Sequence, residues 1–211
     1  MATTVFGASY STRTQRVLLV LEELELEYES KTIDLMKGEH HVRTISSYAM
    51  LGLPWFPVSD FVETHHPLAN IPAIEVDGVK LLEPRAIGRF LVSKYLGPRS
   101  LSSEPTALGT FEQAASVEYA YFEPAVSQLG WEEVFKKAIT GQDADANALA
   151  HHKSQLLQVL DYYEQVLFKH DWLAGKDYTL VDAFHIPWFG FLMTKLGYQS
   201  ELESRKNVAA W

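Results

Sequence analysis

Four hydroxyl side chains stand together at Ser9, Tyr10, Ser11 and Thr12, after a short β-prone stretch and before an amphipathic helical pattern. A hydroxyl at a helix start can accept a bond from an unpaired backbone amide and cap the helix. It can also donate to an anion drawn to the electropositive helix start. A second junction of this kind lies at Glu83-Pro84-Arg85, where a strand pattern runs into a helix that opens with proline. Proline suits the first helical position, because the amide it lacks would have no intrahelical partner. It also removes a donor from a place where anions bind. The chain has no cysteine. Disulfides, Cys-based zinc sites and a protein thiolate are therefore excluded, and any sulfur chemistry needs a thiol that a ligand brings. Histidines come in adjacent pairs at 40/41, 65/66 and 151/152. Without carboxylates at metal-ligand spacing, they read as solvated surface, and no metal is expected.

The elements that position these residues alternate in type over the first half. Residues 4–6 read as a strand, 12–24 as a helix and 28–35 as a strand. Ala73–Val76 and Val79–Leu82 flank Asp77-Gly78, a strong signal for a two-residue hairpin turn. Residues 84–95 follow as a helix with Ile87, Phe90, Leu91 and Tyr95 on its apolar face. This is a small α/β layer. Residues 97–105, GPRSLSSEP, read as a linker. Beyond it strand signals vanish. Leu108, Phe111, Ala115, Tyr119, Phe122, Val126 and Leu129 recur at steps of three and four, with Pro124 as an expected kink. Leu149, Leu156, Leu160, Tyr163 and Leu167 repeat the pattern after the loop 141–147. Thr179 and Asp182 form a capping-box pattern before another apolar run. The expected organisation is an α/β domain at 1–96, a linker at 97–105 and an all-helical domain at 106–211. Within the first domain, residues 42–69 form an insert whose Tyr48, Trp55, Phe56 and Phe61 make it too aromatic for a disordered linker, so it should pack.

The bulk properties narrow the function. With 211 residues, 47% apolar and 21% charged, the chain can bury a core as one large or two small domains. A net charge of -9 argues against nucleic-acid and anionic-membrane partners. No apolar run approaches the ~20 residues needed to span a bilayer. The start MATTVFGASYS lacks the pattern of a signal peptide, so a cytoplasmic location is expected.

The strings VFGASYSTRTQRVLLVLEE, DLMKGEHH, NIPAIEVDGVKLLEPRAI, WLAGKDYTLVDAFHIP and ESRKNVAAW together resemble the cytosolic glutathione transferases over nearly the full length, closest to the phi-like and fungal branch. The resemblance implies a thioredoxin-like N-terminal domain, an all-α C-terminal domain and a homodimer. It implies glutathione as the thiol cofactor, with Ser11 as the hydroxyl donor to the thiolate and Tyr10 as its main rival, Ser9 and Thr12 being close. On residues alone a helix cap is the commoner role for Ser11 or Thr12, and both roles can coexist. His40 and His41 fall at the family's GEHK-like position for the glycyl carboxylate; the histidine in place of lysine makes that charge pH-dependent. Asn70 takes the place of a family glutamine. Ile71-Pro72 resembles the family's cis-proline pair, where backbone pairs with the cysteinyl unit of the ligand. Glu83 and Arg85 match its E-S-R motif.

Pro84 departs from that motif. The family serine gives a hydroxyl and an amide to the γ-glutamyl carboxylate, and proline gives neither. Without replacement the loss is ~3 kcal/mol, about a hundredfold in affinity. The departure leaves weak binding, a shifted pose using Arg85 and other amides, or a non-catalytic binding or regulatory module as alternatives; retention of Ser11, Ile71-Pro72 and Glu83 favours the shifted pose. Tyr10, Met36, Tyr119 and Phe122, with Trp55 or Phe56, are candidates to line a site for an apolar electrophilic small molecule. Conjugation is the expected reaction, with isomerisation by thiolate addition and elimination, or hydroperoxide reduction, as variants. The altered site points to biosynthesis rather than broad detoxification.

Overall fold

The computed structural model describes residues 3–35, 37–39, 60–96 and 104–211. The chain divides into two compact units, Met1–Ser100 and Leu101–Trp211.

The first unit is built on a four-stranded sheet. Its strands are β1 (Thr3–Gly7), β2 (Glu29–Thr32), β3 (Ala73–Val76) and β4 (Val79–Leu82), in the order β2-β1-β3-β4. β1 and β2 run parallel, joined through helix α1 (Thr12–Glu23); β3 lies antiparallel to both β1 and β4. Side chains alternate across a strand, so the cross-strand pairs define two faces. Phe6 and Ala73 pair on one face, in a core cluster with Ala8, Ile33, Phe61, Val62 and Ile71. Phe61 and Val62 come from the short helix α2 (Asp60–Thr64). The other face carries Val5, Ile74 and Gly7. α1 approaches here so closely that a Cβ on Gly7 would meet Thr14 Oγ1 at 2.6 Å. Helix α3 (Pro84–Leu96) packs along α1, burying Ile87 and Leu91 beside Val17 and Leu21.

Several sequence boundaries move. The strand expected over 28–35 is confined to Glu29–Thr32, an edge strand whose four side chains are all exposed. The expected insert lies in part outside the described residues, Tyr48, Trp55 and Phe56 among them; its last ten residues carry α2 and pack into the core through Phe61. Of the expected linker, 97–103 lie outside the described residues. Glu104 and Pro105 are instead the N-cap and first residue of a helix, because the Glu104 carboxylate accepts from the Thr106 and Ala107 amides.

The second unit is helical: α4 (Pro105–Val117), α5 (Glu123–Gly130), α6 (Lys136–Thr140), α7 (Ala146–Leu167), α8 (Leu180–Phe191), α9 (Gln199–Glu203) and α10 (Lys206–Ala210). Residues 105–140 run as successive helical segments through two π-helical turns, Glu118–Phe122 and Trp131–Phe135. The first explains how Pro124 is accommodated. The Glu123 amide reaches back five residues to the Glu118 carbonyl, and proline follows in the first turn of α5, where it has no amide to satisfy. The Thr179–Asp182 capping box is present at the start of α8. Among the described residues, no helix is long and apolar enough to cross a membrane.

Candidate active site

Strand register brings the singled-out segments of the first unit to one end of the sheet. The hydroxyl run Ser9 to Thr12 leaves the C-terminal end of β1. The β1–β3 ladder ends at Phe6 paired with Ala73, so Asn70, Ile71 and Pro72 enter β3 at that same end. Ala73 also pairs with Leu82, which places Glu83, Pro84 and Arg85 beside them as β4 runs into α3. β2 is parallel to β1, so the turn at 34–39 exits there too, closed by Glu39 Oε2 accepting from the Asp34 amide at 2.7 Å. His40 and His41, which that turn leads to, lie outside the described residues, as does Met36.

Ser11 is the N-cap of α1, with extended φ -76° and ψ 122°. Its amide donates to the Ala8 carbonyl at 2.9 Å, which fixes the turn out of β1. Its Oγ accepts from the Thr14 amide at 3.4 Å, a long bond. The cap uses a lone pair and leaves the hydroxyl proton, which no described residue accepts. The first turn of α1 holds no acidic side chain to neutralise the positive helix end. Ser11 is partly buried, whereas Tyr10 is 63% exposed.

The Ile71-Pro72 peptide bond is cis. Ile71 is buried, and its backbone lies beyond the last rung of the sheet ladder. Asn70 is exposed. Glu83 sits at φ 66°, a left-handed conformation that side chains other than glycine adopt at a cost, commonly at ligand sites. Its carbonyl accepts from the Ile87 amide at 2.9 Å. Pro84 is buried as the first residue of α3, and Arg85 is partly buried. The first turn of α3 therefore lacks an amide donor at residue 84.

His66 was missed by sequence reasoning. The 65/66 pair reads as solvated surface, yet the His66 side chain is 1% exposed and accepts from the Asn70 amide through Nδ1. Burial lowers its pKa below the ordinary 6.5, against the opposing pull of the Glu83 carboxylate. His65 is also lowered, by burial first and then by Lys80. A doublet of histidines carries no signal for which ring turns inward.

Phe122 requires a correction as a substrate-lining candidate. It is fully buried in the helical unit, with its ring 4.6 Å from that of His185, 5.6 Å from Phe189 and 6.0 Å from Tyr163. The spacing that nominated it puts it on the inward face of its helix, leaving no surface for a substrate. Tyr119, three residues earlier, is 63% exposed. Among the described residues no cluster of three or more histidine or acidic side chains could hold a metal ion.

Comparison with known proteins agrees with this arrangement. The family described as "Glutathione S-transferase, C-terminal domain" matches residues 121–211. The chain is 37% identical to glutathione S-transferase PM239X14 of Arabidopsis thaliana, over 98% of this chain and 88% of that protein. It is 32% identical to glutathione S-transferase hmp2 of Hypomyces subiculosus, over 100% and 92%. The solved structure of glutathione transferase F7 from Populus trichocarpa superposes with a TM-score of 0.80 at 27% identity, covering 100% of this chain and 91% of that one. A thioredoxin-like sheet unit followed by a helical unit, with these relatives along the whole length, places the chain in the glutathione S-transferase family. It is accordingly a glutathione-dependent transferase, and the thiol its cysteine-free sequence lacks comes from glutathione.

Proposed function

We propose that the Ser11 hydroxyl holds the sulfur of glutathione as a thiolate and that this thiolate attacks an electrophilic, largely apolar small molecule. The carrying observation is the Ser11 cap: Oγ accepts from Thr14 and leaves its proton for an anion at an uncompensated helix start. A free thiol has a pKa of ~8.5 and is mostly protonated at neutral pH. A charge-assisted hydrogen bond contributes ~1.5–3 kcal/mol, and each ~1.36 kcal/mol lowers the pKa by one unit. One hydroxyl thus brings the thiol to about neutrality. Tyr10, far more exposed, is assigned to the co-substrate rather than to the sulfur.

The rest of glutathione follows the converging segments. The backbone of Ile71, beyond the sheet ladder, is free to pair with the cysteinyl unit. Asn70, Glu83 and Arg85 take the γ-glutamyl end, in a pose shifted from the one residue 84 would otherwise hold. His40 and His41 are assigned to the glycyl carboxylate. We place the protein in the phi-like and fungal branch, in the cytoplasm, in the synthesis of a specific compound; conjugation is the assigned reaction, and addition followed by elimination would make the same thiolate an isomerase. A homodimer is also part of this reading. It is supported by an apolar groove of about 610 Å³ in the helical unit, lined by Val117, Tyr121, Pro124, Val159 and Tyr162, as the surface for a second copy.

Titration calorimetry with glutathione tests the assignment. Saturable binding at millimolar ligand or below, weakened at least fivefold by Arg85→Ala, is expected. No heat at millimolar glutathione contradicts it.

A further inference from the structure

His66 sits two residues beyond α2 and is held at its amide, its carbonyl and Nδ1. Its amide donates to the Phe61 carbonyl at 3.0 Å, and its carbonyl accepts from the Ala69 amide at 2.8 Å. Its ring lies 6.3 Å from that of Phe61, centroid to centroid. The turn closes with Ala69 in the left-handed region, at φ 55°. From there Nδ1 accepts from the Asn70 amide at 3.5 Å. An amide can only donate, so this long bond requires the neutral tautomer with its proton on Nε2. An imidazolium would set a second donor against that amide.

We propose that His66 is a positioning residue for glutathione: its neutral ring fixes the Asn70 amide, and with it the Asn70 and Ile71 backbone that meets the cysteinyl unit, so that protonation in acid releases this backbone and weakens glutathione binding. The inference rests on the assignment of glutathione to this end of the sheet.

The surroundings support the direction of the switch. Burial favours the neutral ring, while Glu83, acting from the β4–α3 junction, and a hydrogen bond to the backbone of His66 itself favour the cation; burial is the largest effect, and the pKa falls below 6.5. A histidine lowered on folding contributes its full stabilisation above the unfolded value and loses it as pH falls through the folded one. The ordered turn therefore belongs to neutral pH and its release to the acid side. The facing partners are Glu83 and the Asn70 amide from outside α2, and Phe61 within it. His65 lies on the same segment, but its ring is tilted against that of Phe6, 3.8 Å between centroids, and it answers to Lys80, Glu75 and Lys31 instead.

The test is the KM for glutathione and the calorimetric Kd between pH 5 and 8, in the parent, His66→Asn, His66→Leu and His65→Asn. Asparagine places an amide oxygen near the Nδ1 position and does not titrate. His66→Asn should hold the neutral-pH KM within about twofold of the parent and flatten the rise in KM toward acid. His66→Leu should raise KM about five- to tenfold across the range, with kcat at saturating glutathione changed less than about twofold. His65→Asn should follow the parent. Because glutathione itself and other groups contribute to the pH profile, the readout is the difference between the His66→Asn and parent profiles. If the parent binds glutathione and His66→Asn keeps the parent's acid rise, or His66→Leu binds as the parent does, this inference is overturned and the site assignment stands. If the parent binds no glutathione at pH 7, the assignment itself is overturned, and the inference with it.

Discussion

The starts of α1 and α8 solve one local problem in opposite ways. Each is preceded by an extended hydroxyl residue, Ser11 or Thr179, that accepts from an amide of the first turn. At α8 the cap is saturated. Thr179 and Asp182 bond reciprocally, and the Asp182 carboxylate, 2% exposed, collects the Thr179 amide and hydroxyl at 2.9 Å each, the Leu173 amide at 3.1 Å and Trp211 Nε1 at 3.0 Å. At α1 the cap is one bond of 3.4 Å, no acid balances the helix end, and a hydroxyl proton remains. A cap that closes on itself holds the fold; one left open keeps capacity for a ligand.

Substitutions at the two caps should therefore fail in different ways. The largest loss is expected from Asp182→Ala, which strands four buried or partly buried donors and should lower unfolding free energy by about 3–4 kcal/mol in urea. The kcat/KM of the remaining folded protein should stay within about twofold. Ser11→Ala should do the reverse: kcat/KM falls about 30-fold or more, some 2 kcal/mol, while stability falls by ~0.5–1 kcal/mol for a lost cap. An unfolding loss at Ser11 as large as that at Asp182, with catalysis intact, would erase the distinction.

The start of α3 sharpens the comparison, since there Pro84 removes a donor from the same end of the sheet. Pro84→Ser should tighten glutathione binding about tenfold by calorimetry. Unchanged affinity would show that the ligand has no need of residue 84. The smallest effect belongs to the closed cap: Trp211→Phe removes one bond to Asp182 but keeps a ring against His185 and Phe189, and should cost about 1 kcal/mol of stability with no kinetic change.

Features governed by short-range chemistry were legible in the sequence. The Asp77-Gly78 hairpin, the Thr179–Asp182 box and the alternation of strand and helix all appear, because each depends on residues a few positions apart. The convergence of Ser11, Ile71 and Glu83 was not derivable from spacing; it depends on strand register, and the family resemblance supplied it. What failed depends on the third dimension. Residues 28–35 carry β-prone Tyr28, Thr32 and Ile33, but β1 pairs with only Glu29–Thr32 in the ladder. Phe122 has the helical spacing of both a core residue and a pocket wall, and only its contacts with Tyr163 and His185 decide between them. His66 looks like His65 in the sequence, and only the fold of the turn after α2 buries its ring completely.

The central claim, that Ser11 steadies a borrowed thiolate, is tested most directly by the ultraviolet absorbance of bound glutathione thiolate, titrated against pH. In the parent protein the bound thiol should ionise about one to two units below the free value of ~8.5. That shift should vanish in Ser11→Ala and persist in Tyr10→Phe. Ionisation of bound glutathione at the free value in the parent, or a shift that survives Ser11→Ala and disappears with Tyr10→Phe, would contradict it.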